Sequence, residues 1–336
     1  MTSRRRFAAV LAAAFTFFLA GAAAPLAAQE RSRAVRIGVL DAVPELANRA
    51  NLEQLRKGLA ELGYVEGRNL RLEYRSGDGK AERNPALAAE LASLDVDLIV
   101  AGGTPAALAA KGARSAAGTP IPVVTAVALD PVDTGLVASL EHPGANVTGI
   151  AVLTDELEAK RVELLRALAP GRKRVAVLVD MANPGLVESW KQIQAAARRI
   201  GLQPVLVNVK RPGNIEKALD KALAKKAQAL IVRAGALPDA ARERLIERVA
   251  QHKLPAIYAQ RRFVEAGGLA SYGLSTPEMY YLAAGFADKI LKGAKPGELP
   301  MQRPAKFEFV VNRRTLRALD LVLPPDLLLR SDDIVG

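Results

Sequence analysis

A chain of 336 residues with 47 Lys and Arg against 35 Asp and Glu carries a formal charge of +12, and it holds two His and no Cys. The missing cysteine means that the core alone must hold the fold and that no N-terminal Cys can carry a lipid anchor, while His142 and His252 stand far apart, outside any metal-ligand spacing. Basic residues alternate with acidic ones, as in Glu82-Arg83 and Arg242-Glu243-Arg244, which reads as solvated helix faces and not as a nucleic-acid stripe.

Arg4, Arg5 and Arg6 precede an apolar run from Phe7 to about Ala24, and the small residues of Leu26-Ala27-Ala28 follow. That order is the pattern of an export signal with cleavage expected after Ala28. The competing reading is an uncleaved membrane anchor, because the run approaches the roughly 20 residues that span a bilayer. Ser3-Arg4-Arg5-Arg6-Phe7 fits a twin-arginine pattern, but an ordinary secretory signal has the same charges. Removing residues 1–28 takes away three arginines and no acid, so the charge falls from +12 to +9. No later apolar run is long enough to span a membrane, and the remaining length exceeds one comfortable core, which points to two lobes.

Beyond the signal, short apolar runs alternate with helical patterns, the signature of parallel sheet with crossover helices. Val35–Leu40 reads as a strand. Asn51–Leu62 places apolar side chains at 52, 55, 59 and 62, one face of a helix, and Gly63 stops it. Leu70–Tyr74 is a strand, Pro85–Leu94 a helix with Pro in its first turn, Leu98–Ala101 a strand, Pro105–Lys111 a helix and Pro122–Ala126 a strand. The pattern then restarts. Arg174–Leu178 matches Arg36–Leu40 at an offset of 138, and the helix at 185–200 stops at Gly201, the same offset from Gly63. Ala229–Val232 corresponds to Asp97–Val100 and Leu254–Ile257 to Ile121–Val124, at offsets of 132 and 133. A repeat this long means two copies of a domain, since solenoid units recur every ~20–50 residues. The tail does not fit a simple tandem: Leu269–Tyr272 and Phe307–Val311 read as strands, Pro277–Leu291 and Arg313–Leu319 as helices.

Ligands of open α/β sheets bind beyond the carboxyl ends of the strands, so the loops there hold the candidate site. In the first half these are Asp41–Asn48, Gly102-Gly103-Thr104-Pro105, and the segment from Thr125 to Asp130. The glycines of 102–103 permit close backbone approach, and a helix starting at Thr104-Pro105 offers free N–H groups to an anion; an ordinary capped helix has the same sequence. Asp130, before Pro131, reads equally as an acceptor for an ammonium or as a turn residue. The matching loops of the second half hold Asp180, Asn183-Pro184, Gly235 and Gln260, and Asn before Pro is commonly a turn. No G-x-S-x-G elbow, phosphate loop or dinucleotide fingerprint follows a strand, so neither a catalytic residue nor a cofactor is expected. Four of the eight phenylalanines lie in the apolar N-terminal run, leaving mainly Tyr258 and Tyr272 to stack on a sugar, which weakens a sugar reading.

Longer stretches carry a family resemblance: GLAELGYVEGRNLRLEYR, LAAELASLDVDLIVAGGTPAALAAK, IPVVTAVALDPVDTGLVASLEHPGANVTGI, KRVELLRALAP, VEAGGLASYG and ILKGAKPGELP. Over residues 34–332 the chain resembles the periplasmic substrate-binding proteins of ABC transporters, in the group that includes tryptophan/phenylalanine-binding proteins. The resemblance implies an α/β fold of two doubly wound parallel-sheet lobes joined by a three-crossover hinge, the type I periplasmic-binding fold. Residues 34–149 plus 270–297 would form the N-terminal lobe, and 150–269 plus 298–336 the C-terminal lobe. It also implies a periplasmic monomer that binds an amino acid or related carboxylate and delivers it to an ABC permease in the inner membrane, without nucleic acid, cofactor or metal. By position, Gly102, Gly103 and Thr104 would take the carboxylate and Thr125 and Asp130 the amine, while Asp41, Asn183, Gly235 and Tyr272 close the cleft. Arg233 departs from the small or apolar residue common in the family; turned into the cleft, it would favour a ligand with an extra negative charge. A secreted two-lobed enzyme and a ligand receptor for a membrane sensor are the alternatives.

Overall fold

The computed structural model describes residues 33–209, 214–233 and 239–336. Expectations for the export signal and for Gly235 lie outside the described residues. The first half forms β1 (Val35–Asp41), α1 (Arg49–Glu61), β2 (Leu70–Ser76), α2 (Asn84–Ser93), β3 (Leu98–Ala101), α3 (Thr104–Lys111), β4 (Val123–Leu129) and β5 (Val147–Val152). These strands make a fully parallel sheet in the order β2-β1-β3-β4-β5. The chain then runs through α4 (Thr154–Leu168), β6 (Arg174–Val179), α5 (Pro184–Arg199), β7 (Gln203–Asn208), α6 (Ile215–Ala224), β8 (Ala229–Arg233), α7 (Asp239–Gln251), β9 (Ala256–Tyr258), α8 (Arg261–Glu265) and β10 (Ala270–Gly273). After α9 (Thr276–Leu291) come β11 (Glu308–Asn312), α10 (Arg313–Ala318), α11 (Pro325–Arg330) and β12 (Asp333–Val335). The second sheet has the order β12-β11-β10-β9-β8-β6-β7, with only β10 and β11 antiparallel.

The expected elements of both halves form within a few residues of their expected bounds, and the doubled pattern becomes two sheets. Each sheet is covered on both faces, which is why its strands read as continuous apolar runs. In the first lobe, Leu87, Leu91, Ala107 and Ala110 cover one face, while Leu52, Leu55 and Leu59 of α1 cover the other together with Met279, Tyr280 and Ala283 of α9. The tail is therefore divided. Helix α9 returns to the first lobe and fills its core, whereas β11 and β12 extend the second sheet. Strand β10 pairs with β9 and β11 in the second sheet.

Val35–Gly336 is one compact unit in which the chain passes between the two sheets three times, at Leu153, at Leu274–Ser275 and between Leu299 and Phe307. The third passage runs beside β5: Gln302 N donates to Gly149 O at 2.9 Å, and Ala151 N donates to Gln302 O at 2.9 Å. Asp130, just past β4, accepts from Thr154 N at 2.8 Å and from the Thr154 hydroxyl, which caps the first turn of α4 across the first passage. This places the carboxyl ends of both sheets face to face, and the loops there hold the candidate site.

Leu55 is fully buried between α1 and the sheet. Truncating it removes transfer free energy and leaves a cavity, so Leu55→Ala is expected to lower unfolding stability by about 2–5 kcal/mol. Denaturant unfolding monitored by circular dichroism measures that loss.

Candidate functional site

A cavity of about 530 Å³ lies between the sheets, walled by the first lobe, the second lobe and the crossover segment 274–277. On the first-lobe side, Asp41 ends β1 and is 5 % exposed. Its Oδ1 accepts from Ala42 N at 2.6 Å and Val43 N at 3.2 Å, and its Oδ2 accepts from Asn48 Nδ2 at 2.9 Å and from the Tyr280 hydroxyl of α9. Burial raises the Asp41 carboxyl above the usual carboxylate range, with the hydrogen bonds from Tyr280, Ala42, Val43 and Asn48 opposing. Four donors already fill its acceptor positions, so it is a braced wall more than an open partner.

The glycine of the β3–α3 turn follows from the same network. A Cβ on Gly102 would collide with the Asp41 carboxylate and the Tyr280 hydroxyl. Gly102 is there because two side chains approach its backbone, and its N–H donates to Leu40 O at 2.9 Å. Thr104 begins α3, but its hydroxyl accepts from Leu129 N at 2.9 Å and is 1 % exposed.

The second-lobe side carries a buried ionic cluster. Glu158 and Arg161 stand one turn apart on α4 and are 0 % and 1 % exposed, and Arg233 ends β8 at 7 %. Arg233 Nε lies 2.9 Å from Glu158 Oε1, and Arg161 Nη1 lies 2.6 Å from Glu158 Oε2. Ser189 of α5 donates its hydroxyl to Glu158 and accepts from Arg233 Nη2 at 2.9 Å, and Arg161 Nε donates to Tyr272 O at 2.7 Å. Burial alone would raise the Glu158 carboxyl, but the Arg161 and Arg233 guanidiniums outweigh it and hold the group below its ordinary range. Burial also pushes Arg233 down to about 10, against the attraction of Glu158. Both arginines line the cavity, and Glu158 stands behind them.

The lobes meet at one edge of this cavity. A Cβ on Gly185, in the first turn of α5, would come within 2.5 Å of Leu129 Cβ and 3.1 Å of Thr104 Oγ1 in the first lobe. Asn183 caps α5 by accepting from Gly185 N at 3.1 Å.

The family model for ABC transporter substrate binding protein matches residues 36–335. This chain belongs to that family. A curated relative is the tyrosine-binding protein of Clostridioides difficile, 27 % identical over 285 residues that make up 83 % of this chain and 80 % of the relative. Among solved structures, a conserved domain protein from Vibrio cholerae superposes with a TM-score of 0.80 at 27 % identity, covering 90 % of this chain and all of that one. The complex of an ABC domain with L-Trp from Streptococcus pneumoniae superposes with a TM-score of 0.80 at 24 % identity, covering 90 % of this chain and 99 % of that one. The fold is the type I periplasmic-binding fold.

In this substrate-binding protein the sequence-selected residues separate into two sets. Asp41, Gly102, Gly103, Thr104 and Asn183 line the cavity. Thr125, Asp130 and Tyr272 are outside its lining. Thr125 is fully buried in β4 and donates to Ile150 O at 3.1 Å, which satisfies its hydroxyl inside the sheet. The Asp130 carboxylate caps α4, and the Tyr272 ring packs on Phe307 at 5.8 Å while only its carbonyl serves the cluster. Arg233, whose direction the sequence left open, lines the cavity. Glu158, Arg161 and Ser189 carry no mark in the sequence, because a Glu and an Arg three apart on a helix read as a solvated ion pair. Among the described residues, no His, Cys, Asp and Glu group is placed to hold a metal.

Removing the acidic member of a buried cluster leaves its cations uncompensated, so Glu158→Gln is expected to lower unfolding stability by about 3–5 kcal/mol. Because the folded state holds this carboxyl below its unfolded value, its contribution is complete above the ordinary carboxylate range and fades as pH falls below it. The difference between wild type and variant should therefore be largest near neutral pH and shrink in acid, as measured by denaturant unfolding across that range.

Proposed function

We propose that this chain is the extracytoplasmic solute receptor of an ABC importer and that it holds a small carboxylate-bearing solute, an amino acid or close relative, in the cavity between its lobes. The observation that carries the reading is a cavity bounded by both lobes with buried charged side chains from each, Asp41 on one wall and Arg161 and Arg233 on the other. Its volume falls in the range of small-ligand sites, roughly 300–1,000 Å³, and its place beyond the strand ends is where open α/β sheets bind ligands. A ligand touching both walls favours the closed arrangement over any open one, and the three chain passages supply the hinge. The relatives named for tyrosine and L-Trp favour an amino acid.

In this reading Asp41, Gly102, Gly103, Thr104 and Asn183 contribute to the site, and the chain performs no chemistry on its ligand. The lobes comprise about 35–152 with 276–297 and about 153–273 with 298–336. The N-terminal segment directs export to the periplasm and is removed near Ala28, and the monomeric receptor meets the permease there. Among the described residues no helix is long and apolar enough to cross a membrane.

A thermal-shift screen of the exported protein against the standard L-amino acids tests the proposal. A true ligand at about a hundred times its dissociation constant adds roughly 2.7 kcal/mol, enough to raise the melting temperature by several degrees. A well-folded protein that no small solute stabilises would sink it. Gly185→Leu adds bulk where the lobes touch, so it should weaken ligand binding by on the order of tenfold and raise the radius of gyration of the ligand-saturated protein in X-ray scattering.

A further inference from the structure

We propose that the guanidinium groups of Arg161 and Arg233 form the anion subsite of the cavity and receive the carboxylate of the bound solute on the second-lobe wall, with Glu158 as the residue that positions them. The inference rests on the reading above that the cavity holds a small carboxylate-bearing solute. Two buried cations pair directly with one buried anion, Glu158, while Asp130 attracts Arg233 only from further off with its carboxylate held by Thr154, so the direct pairs leave one positive charge uncompensated at the cavity wall. A buried charge without a counter-ion is strongly disfavoured, and an entering carboxylate supplies that counter-ion. The donors are also available. Arg161 commits Nε to Tyr272 O and Nη1 to Glu158, and Arg233 commits Nε and Nη2 to Glu158 and Ser189, which leaves Arg161 Nη2 and Arg233 Nη1 for an entering oxygen.

The first lobe is the weaker anion site, contrary to what its glycine turn suggests. The Gly102 N–H already bonds Leu40 O, and the Thr104 hydroxyl is engaged by Leu129. What remains at the start of α3 is backbone N–H and a helix dipole equivalent to about half a charge, against a full guanidinium charge across the cavity. A carboxylate can bridge the fork formed by one remaining Nη of each arginine with two charge-assisted hydrogen bonds. Glu158 keeps that fork in place from behind, where it accepts from Ser189 and pairs with both arginines.

Isothermal titration of the exported protein tests the assignment, with the L-amino acid that gives the largest thermal shift and with its decarboxylated amine. Arg233→Leu leaves Glu158 paired with Arg161, so a balanced pair remains in the core; Arg233→Lys keeps the charge without the fork. Apo melting curves establish that each variant folds. The expected result is that Arg233→Leu weakens the amino acid by roughly tenfold to a hundredfold, the loss of a charge-assisted contact, that Arg233→Lys weakens it less, and that the amine binds wild type at least as poorly as the amino acid binds Arg233→Leu. If the amine binds wild type as tightly as the amino acid, or if Arg233→Leu folds and binds unchanged, this subsite is wrong while the receptor reading stands. If no amino acid binds wild type, both fail.

Discussion

Glu158 is the single anion around which the second lobe's cavity wall is organised. It joins α4 to β8 through Arg233 and to α5 through Ser189, and its neighbour Arg161 reaches β10 at the Tyr272 carbonyl. Four elements thus meet at one ionic cluster whose carboxylate is wholly out of water. A buried ion group of this kind adds little stability over an apolar replacement, yet any missing member is costly because the others are left without counter-charge. Its value here lies in geometry. It holds the guanidiniums of Arg161 and Arg233, which line the cavity, at fixed positions.

The first-lobe wall is built on the opposite principle. Asp41 has its acceptor positions filled by two backbone amides, Asn48 and Tyr280, and Gly102 is kept bare so that this network can close behind the β3–α3 turn. Tyr280 arrives from α9, which is more than two hundred residues away in sequence and belongs to the segment that returns to the first lobe. The third chain passage, with its hydrogen bonds to Gly149 and Ala151, belongs to the same arrangement. The cavity thus has a carboxylate held by four donors on one wall and the guanidiniums of Arg161 and Arg233 on the other.

The sequence determined the elements and the family. Apolar runs of four to seven residues between helical patterns, a doubled order of elements and the glycines that end α1 and α5 are local features, and local sterics and burial on both faces of a sheet impose them. The loops beyond the strand ends were also legible, and Asp41, Gly102, Gly103, Thr104 and Asn183 of those loops line the cavity. Tertiary structure alone decided what those loops do. It turned Thr125 and Asp130 to hydrogen bonds inside the fold, assigned β10 to the second sheet, brought α9 back to the first, and placed Glu158, Arg161 and Arg233 together over a separation of 75 residues. Side-chain direction and long-range pairing depend on which elements pack together, and a charged residue on a helix carries no local sign of whether water or another helix will face it.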